Sequence, residues 1–592
     1  MKKILTLLAI FLVLPQICLA VGEISNAHAV GFLDVQVLEK GKISVSGDVN
    51  EIEVELTIPQ EDVYQKIIER IVISNNQLCD NQNDCSYSYI TDDVGNQKLK
   101  IVWANPDSDI NFDVRTDMKI NRRTKANFEK SPSFLEDASE VEVSNPSIRA
   151  LAFEITENSE TDFEKIAEVT KWLNENIVYD KTMINRALNA KNVLEKKRSV
   201  CGGYSNLAAA LLRNLGYQTA YIAGYAYSDE GEFIRHAWNE VYTDTDSYTL
   251  DSTWGEIPID ATHIKFAVQT GGPFVMAQMK ASGYGDFSTV LEDTESYITL
   301  NEFTYNSIVF GESNLVKDEL WRGTETTYAL LESDLESDGC ILTKVRSQSC
   351  ILGESEFLRP VTAEEIVYFC DNKKYFSLFE VPVTDKGMEY TCALEIFPFS
   401  GTKQSDTIVI KESEAPTEPA RIDTNEVFIK AGEEFTATSN GFIYTDYGAS
   451  GNGELSTTAP LKDFKVYGYN GYLLEQEINV VEEKLFDIEL TVDEPVKSNE
   501  EVRFSLFVNN LLDDEQEIST VFRGKTDTRT VTDNEMFEFS YNPSGPGDNV
   551  VTVFVKSGDF STSVSKTIAF EEGGYLQTFW NSFMRIINKY LG

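Results

Sequence analysis

Three residues in this sequence have the types and order for nucleophilic catalysis: Cys201, then His236, then Asp251. A thiolate attacks a carbonyl, an imidazole carries the proton, and a carboxylate fixes the imidazole tautomer and supports its cation. The chain has only three histidines, His28, His236 and His263, so an imidazole partner for Cys201 must come from a short list. His28 lies far away in sequence, and His263 reads as a structural residue. Taken alone, Cys201 would as readily be a buried, inert thiol.

The local sequence argues otherwise. Cys201 precedes "GGYSNLAAALLRNLG", a helical pattern that starts at or just after the cysteine and stops at Gly216. Free N–H groups and the dipole at a helix N-terminus favour a thiolate. The Cys201 amide is also placed to donate to a developing oxyanion. Gly202 and Gly203 would let a substrate backbone approach and form part of the site wall. Trp238 and Trp254 are further wall or core aromatics.

His236 sits in the strand pattern "HAWNEVY", and Asp251 ends "YTLD". Whether they meet depends on loop parity. A four-residue loop, Thr243 to Asp246, pairs Tyr242 with Ser247. It sets Asp251 opposite Trp238 and diagonal to His236 on one face. An odd loop would send the two side chains to opposite faces; the even case is expected.

With these residues in hand, "SVCGGYSNLAAALLRNLGYQTAYIAGY", "HAWNEVY", "YTLDSTWGE" and "PIDATHIKF" together resemble the transglutaminase-like superfamily. The upstream "WLNENIVYD" is similar to that family's leading helix. The resemblance spans roughly 160 to 290. It implies a papain-like α+β core and thiol catalysis on peptide or protein amides, with Cys201, His236 and Asp251 in the three roles. It also implies a second oxyanion donor from an upstream side chain, for which Tyr179 and Trp172 are candidates. Animal members use calcium; no matching acidic site is seen, so no cofactor and no metal is expected. Water would resolve the thioester in a hydrolase and an amine in a cross-linking enzyme; hydrolysis is the favoured expectation. The alternative is a catalytically inactive surface adhesion or scaffold protein.

The surroundings of this core are β-rich. Thr161 and Glu164 form a capping box, and Phe163, Ile166, Ala167, Thr170, Leu173 and Ile177 recur as one apolar helical stripe. The expected organisation is a signal peptide at 1–20, a β-rich domain at 21–145 and the catalytic domain at 146–290. A disulfide-bearing β-domain at 291–412, a linker at 413–420 and a small β-module at 421–482 follow. An immunoglobulin-like β-sandwich at 483–572 and an amphipathic helix at 573–592 complete the chain. The fold class is therefore multidomain, an α+β papain-like core flanked by β-sandwich modules.

Lys2, Lys3, the apolar run from Ile4 to Leu14 and Ala20 make the signal peptide, so export to the surface or exterior is expected. Of eight cysteines, Cys18 leaves with that segment. Six others fall into sequence-local pairs, Cys79 with Cys85, Cys340 with Cys350 and Cys370 with Cys392, and Cys201 is left over. The net charge of −45, from 51 basic and 96 acidic residues, excludes nucleic acid as a partner. The tail departs from this acidity: Leu576, Phe579, Trp580, Phe583, Met584 and Ile587 share one helical face, with Arg585 and Lys589 its only charges. Such a helix suits a membrane surface, or docking on protein. The other expected partner is the peptide or protein substrate.

Overall fold

The computed structural model describes residues 23–571 apart from short internal stretches, the longest being 382–388, 411–418 and 542–549. The signal peptide, most of the linker and the C-terminal amphipathic segment lie outside the described residues. The chain divides into two compact units. One comprises 1–148, 177–253 and 258–306; the other comprises 149–176, 254–257 and 307–592.

The first unit is organised by one long strand, β1 (Val30–Thr57). At about 3.3 Å per residue, its 28 residues are long enough to take successive partners along each edge. Its first half pairs with β5 (Ile110–Asn121) and β11 (Glu295–Tyr305). Its second half pairs with β4 (Gln97–Ala104) and β10 (Ala277–Leu291). The sheet is extended by β2 (Gln65–Ser74) beside β5 and β3 (Cys85–Thr91) beside β4. Register breaks at Ser46/Asp48 and Val49/Glu51 reset the side-chain alternation. Leu33, Val35 and Val37 are buried before them, and Ile52, Val54 and Leu56 after them.

This pairing moves one expected boundary. Strands β10 and β11 follow one another end to end along β1, both antiparallel to it, so position 290 falls inside a strand of that sheet rather than between domains. The expected catalytic segment is also divided. Helix α1 (Pro146–Ile155) lies mostly in the second unit, and α2 (Asp162–Asn176) wholly within it.

Helix α2 begins as its sequence dictates. The Thr161 hydroxyl accepts from the Glu164 amide at 3.2 Å, and the Glu164 carboxylate accepts from the Thr161 amide at 3.0 Å. The stripe from Phe163 to Leu173 is buried.

The first unit also holds α3 (Ala190–Lys196), α4 (Cys201–Asn214) and a four-stranded antiparallel sheet. Its strands are β6 (Gln218–Tyr227), β7 (Phe233–Tyr242), β8 (Ser247–Leu250) and β9 (Ile264–Gln269), in the order β8-β7-β6-β9. Helix α4 is buried from Gly202 to Arg213, as suits a central helix apolar on most sides. It stops at Gly216, whose φ of +90° lets Tyr217 donate back to the Leu212 carbonyl at 3.1 Å. A buried charge network ties β7 and β9 to the β1 sheet region: Lys265 Nζ lies 3.0 Å from Glu240 and 3.8 Å from Asp62, and Arg123 pairs with both carboxylates.

The second unit is mostly β, as expected of a multidomain chain with few helices; the α+β description of the core fits only in part. Residues 313–410 form a four-stranded and a five-stranded sheet, with a small two-stranded pairing beside them, and share a core that includes Leu331, Val345, Phe379 and Leu394. A five-stranded sheet follows within 428–481, and two further sheets within 486–567 share a core with Phe504, Leu506, Phe537 and Val553.

The disulfides are Cys79–Cys85, Cys340–Cys370 and Cys350–Cys392. Only the first is a pair expected from proximity. Cys340 and Cys350 bracket the strand Ile341–Ser349, so about 30 Å of extended chain separates them, far beyond the ~7 Å a bridge allows. Strand pairing decides instead. Ile341 registers with Phe369, setting Cys340 beside Cys370, and Ser349 registers with Leu394, bringing Cys350 towards Cys392.

Candidate functional site

Cys201 is the first residue of α4 and is partly exposed. The preceding Val200 is extended and contributes no side-chain cap; its carbonyl accepts from the amides of Gly203 at 2.9 Å and Tyr204 at 3.3 Å, so the amides before these are the ones a substrate oxygen would meet. The approach is set by a short parallel pairing of Val178–Tyr179 with Arg198–Ser199. Gly203 is needed for packing: a Cβ there would lie 1.9 Å from Ser199 Oγ and 2.8 Å from Val193 Cγ2. That space is filled by protein rather than open to substrate, which corrects its reading as site wall. Gly202 is likewise buried.

The β7–β8 hairpin has the even register. Tyr242 pairs with Ser247 and Asn239 with Leu250, so Asp251 follows opposite Trp238. His236 Nε2 lies 2.7 Å from Asp251 Oδ2, both side chains being buried. Cys201 stands near enough to His236 to act on it electrostatically. With Nε2 committed to Asp251, Nδ1 is the ring nitrogen that serves the thiol. Burial alone would lower the His236 pKa; the charge and hydrogen bond of Asp251, then the contact with Cys201, outweigh it and raise the pKa to about 10. Burial would raise the Asp251 pKa, but the charge and hydrogen bond of His236, then those of His263, hold it well below the usual carboxylate range. The second Asp251 oxygen accepts from the Thr253 amide at 2.8 Å.

Tyr179 is half-exposed. Burial, then the charges of Cys201 and Asp251, push its phenol up to about 12, so it stays protonated as a donor. Trp172 lies in α2 of the second unit, where its carbonyl accepts from Asn176 Nδ2 at 3.0 Å. Trp254 also belongs to the second unit. Trp238 is fully buried, stacked 6.4 Å from His236 and edge-on 5.1 Å from His263, and so braces both imidazoles.

Sequence reasoning undervalued His263. Its Nε2 is 3.5 Å from Asp251 Oδ2, and its Nδ1 is 3.5 Å from Asp260 Oδ2. The signal was the Asp-x-x-His spacing within "PIDATHIKF". Tyr221 was also missed; it is buried in the apolar cluster on which Cys201 packs. Donor atoms of His236, Asp251 and His263 lie within 4.8 Å of one another. The 2.7 Å His236–Asp251 separation is that of a direct hydrogen bond. Two ligands of a shared tetrahedral ion at about 2.0–2.2 Å would stand further apart.

This arrangement is of the thiol–imidazole–carboxylate class. Residues 149–254 match the model of the transglutaminase-like superfamily, and that segment is of this superfamily. The assignment supports a thiol enzyme at the superfamily level. The kyphoscoliosis peptidase of Mus musculus is 29% identical over 143 residues, 22% of this chain and 22% of the relative; that of Homo sapiens is 29% identical over 128 residues, 20% and 19%. The chain thus spans about a fifth of the length of these curated relatives. Among solved structures, a candidate cysteine protease from Cytophaga hutchinsonii is 14% identical, with 46% of this chain and 93% of that one covered and a TM-score of 0.35. At that score the likeness bears on neither fold nor function.

Proposed function

We propose that this protein is an exported thiol enzyme that acts on peptide or protein amides through a thioester at Cys201. The observation that carries the reading is the buried 2.7 Å contact of His236 with Asp251, with Cys201 at the start of α4 near enough to act on His236. In this mechanism the Cys201 thiolate attacks the amide carbon, and the carbonyl oxygen takes the negative charge. The Cys201 amide and the Tyr179 hydroxyl are its candidate donors. His236, as imidazolium, protonates the leaving amine while Asp251 keeps the ring oriented. Water, deprotonated by the now neutral His236, then cleaves the thioester and regenerates the thiol.

Hydrolysis is preferred to cross-linking because water is always present and excluding it requires a closed acceptor site. The curated relatives are named peptidases, which agrees with that preference. Export is supported by the sequence pattern at 1–20 and by the three disulfides. We read the two-sheet module of 486–567 as immunoglobulin-like, serving with the other β-modules to present the core. The amphipathic tail is proposed to attach the protein to a membrane surface.

Incubation with a protein substrate and a labelled primary amine separates the outcomes. New peptide termini, absent with Cys201→Ala, support hydrolysis. Amine incorporation that also needs Cys201 would replace hydrolysis by transamidation. Neither product under either condition would remove the enzymatic reading.

A further inference from the structure

Behind the His236–Asp251 pair lies a second imidazole for which the mechanism has no use. His263 and Asp260 are both buried, and neither can reach solvent for a counter-charge. The two nitrogens of His263 face two different carboxylates, Asp251 Oδ2 and Asp260 Oδ2, each at 3.5 Å. A carboxylate only accepts, so each of these nitrogens is best satisfied by bearing a proton. The other oxygen of Asp260 accepts from the Thr262 amide at 2.5 Å. Burial would raise its pKa, but His263, then His28, hold it below the usual range.

We propose that His263 is held as an imidazolium between Asp251 and Asp260, and that it is a positioning residue which orients Asp251 and limits how strongly Asp251 favours the protonated form of His236. The charged or titratable groups facing it are Asp251, Asp260 and His236, with His28 acting on Asp260 from the turn Ala27–Ala29. Asp251 Oδ2 is shared by two imidazoles, the nearer at 2.7 Å and the further at 3.5 Å. The His236 and His263 rings are 5.7 Å apart. A cation at that distance disfavours a second one. At an effective dielectric of about 20 the effect reaches up to about 2 pH units. His263 thereby lets His236 release its proton to a leaving amine more readily than the Asp251 contact alone would allow. That consequence rests on the thiol-enzyme reading; the charge on His263 does not.

Two measurements on the full chain test the proposal. With 15N-labelled histidine, the three histidines give few enough ring signals to assign by the loss of one in His263→Gln. At pH 8 both nitrogens of His263 are expected to show the protonated signature. A deprotonated nitrogen at pH 8 overturns the proposal, and this readout needs no substrate. The second measurement is the pH profile of Cys201 alkylation by iodoacetamide. His263→Gln keeps a donor for Asp251 but removes the charge, so the limb reporting His236 deprotonation should move up by about 1 pH unit. Asp260→Asn should move it in the same direction by less. An unchanged or downward limb in a folded His263→Gln protein contradicts the positioning role. Absence of amide turnover in wild type would fault the proposed function while leaving both readouts intact.

Discussion

Asp251→Asn is the substitution whose effect the geometry predicts most sharply. It keeps a hydrogen-bonding group opposite His236 Nε2 but removes the charge. His236 is buried, and its pKa stands at about 10 against an ordinary 6.5 because Asp251, and after it Cys201, outweigh burial. Without that carboxylate, burial becomes the leading influence and the ring should be neutral at pH 7. At about 1.4 kcal/mol per pH unit, the lost ion-pair stabilisation is about 5 kcal/mol. The sign follows from the raised folded-state value. The His236 contribution is fully present below pH 6.5 and is lost as pH rises through about 10. The first unit of wild type should therefore lose resistance to unfolding between pH 6.5 and 10, whereas Asp251→Asn should lack that component. Alkylation of Cys201 at pH 7.5 should also slow at least tenfold (~1.4 kcal/mol or more), because the thiolate loses its imidazolium counter-ion. Parallel unfolding profiles across this range, together with unchanged alkylation, would refute the reasoning.

Non-reducing peptide mapping should recover Cys340 with Cys370 and Cys350 with Cys392, and no peptide joining Cys340 to Cys350. Replacing Cys350 and Cys392 together by Ala should cost about 4 kcal/mol on the chain-entropy scale, read as an earlier denaturant transition. Gly203→Ala should destabilise by about 1–3 kcal/mol through overpacking against Ser199 and Val193. Adding Ser199→Ala should recover part of that loss in thermal unfolding. Deleting 575–592 should abolish partitioning onto anionic vesicles; unchanged partitioning would mean that the tail docks on protein.

The local features legible in the sequence were those fixed by short-range rules. The Thr161/Glu164 box, the stop at Gly216 and the even β7–β8 hairpin each depend on a few neighbouring residues, and each is present. The hairpin parity mattered most, because it alone decided that His236 and Asp251 share a face. What sequence reasoning misjudged depends on long-range pairing. The halves of β1 recruit strands from 97–121 and from 277–305, which shifts the expected boundary at 290. The Cys340 and Cys350 partners are chosen by strand register across 30 and 42 residues rather than by nearness. His263 was undervalued for the same reason: its contact with Asp251 closes only when β9 returns beside β6. Gly203 was assigned to substrate because a glycine beside a nucleophile suggests access, whereas its neighbours Ser199 and Val193 occupy that space.

The central claim is that Cys201 forms a thioester with an amide-derived acyl group. Mass spectrometry of the protein mixed with an activated acyl-peptide ester and quenched in acid tests it directly. The account predicts an acyl adduct on the peptide containing Cys201, slow to form in His236→Ala and absent in Cys201→Ala. An adduct elsewhere, or none in the wild-type protein while Cys201 remains a free, alkylatable thiol, would contradict it.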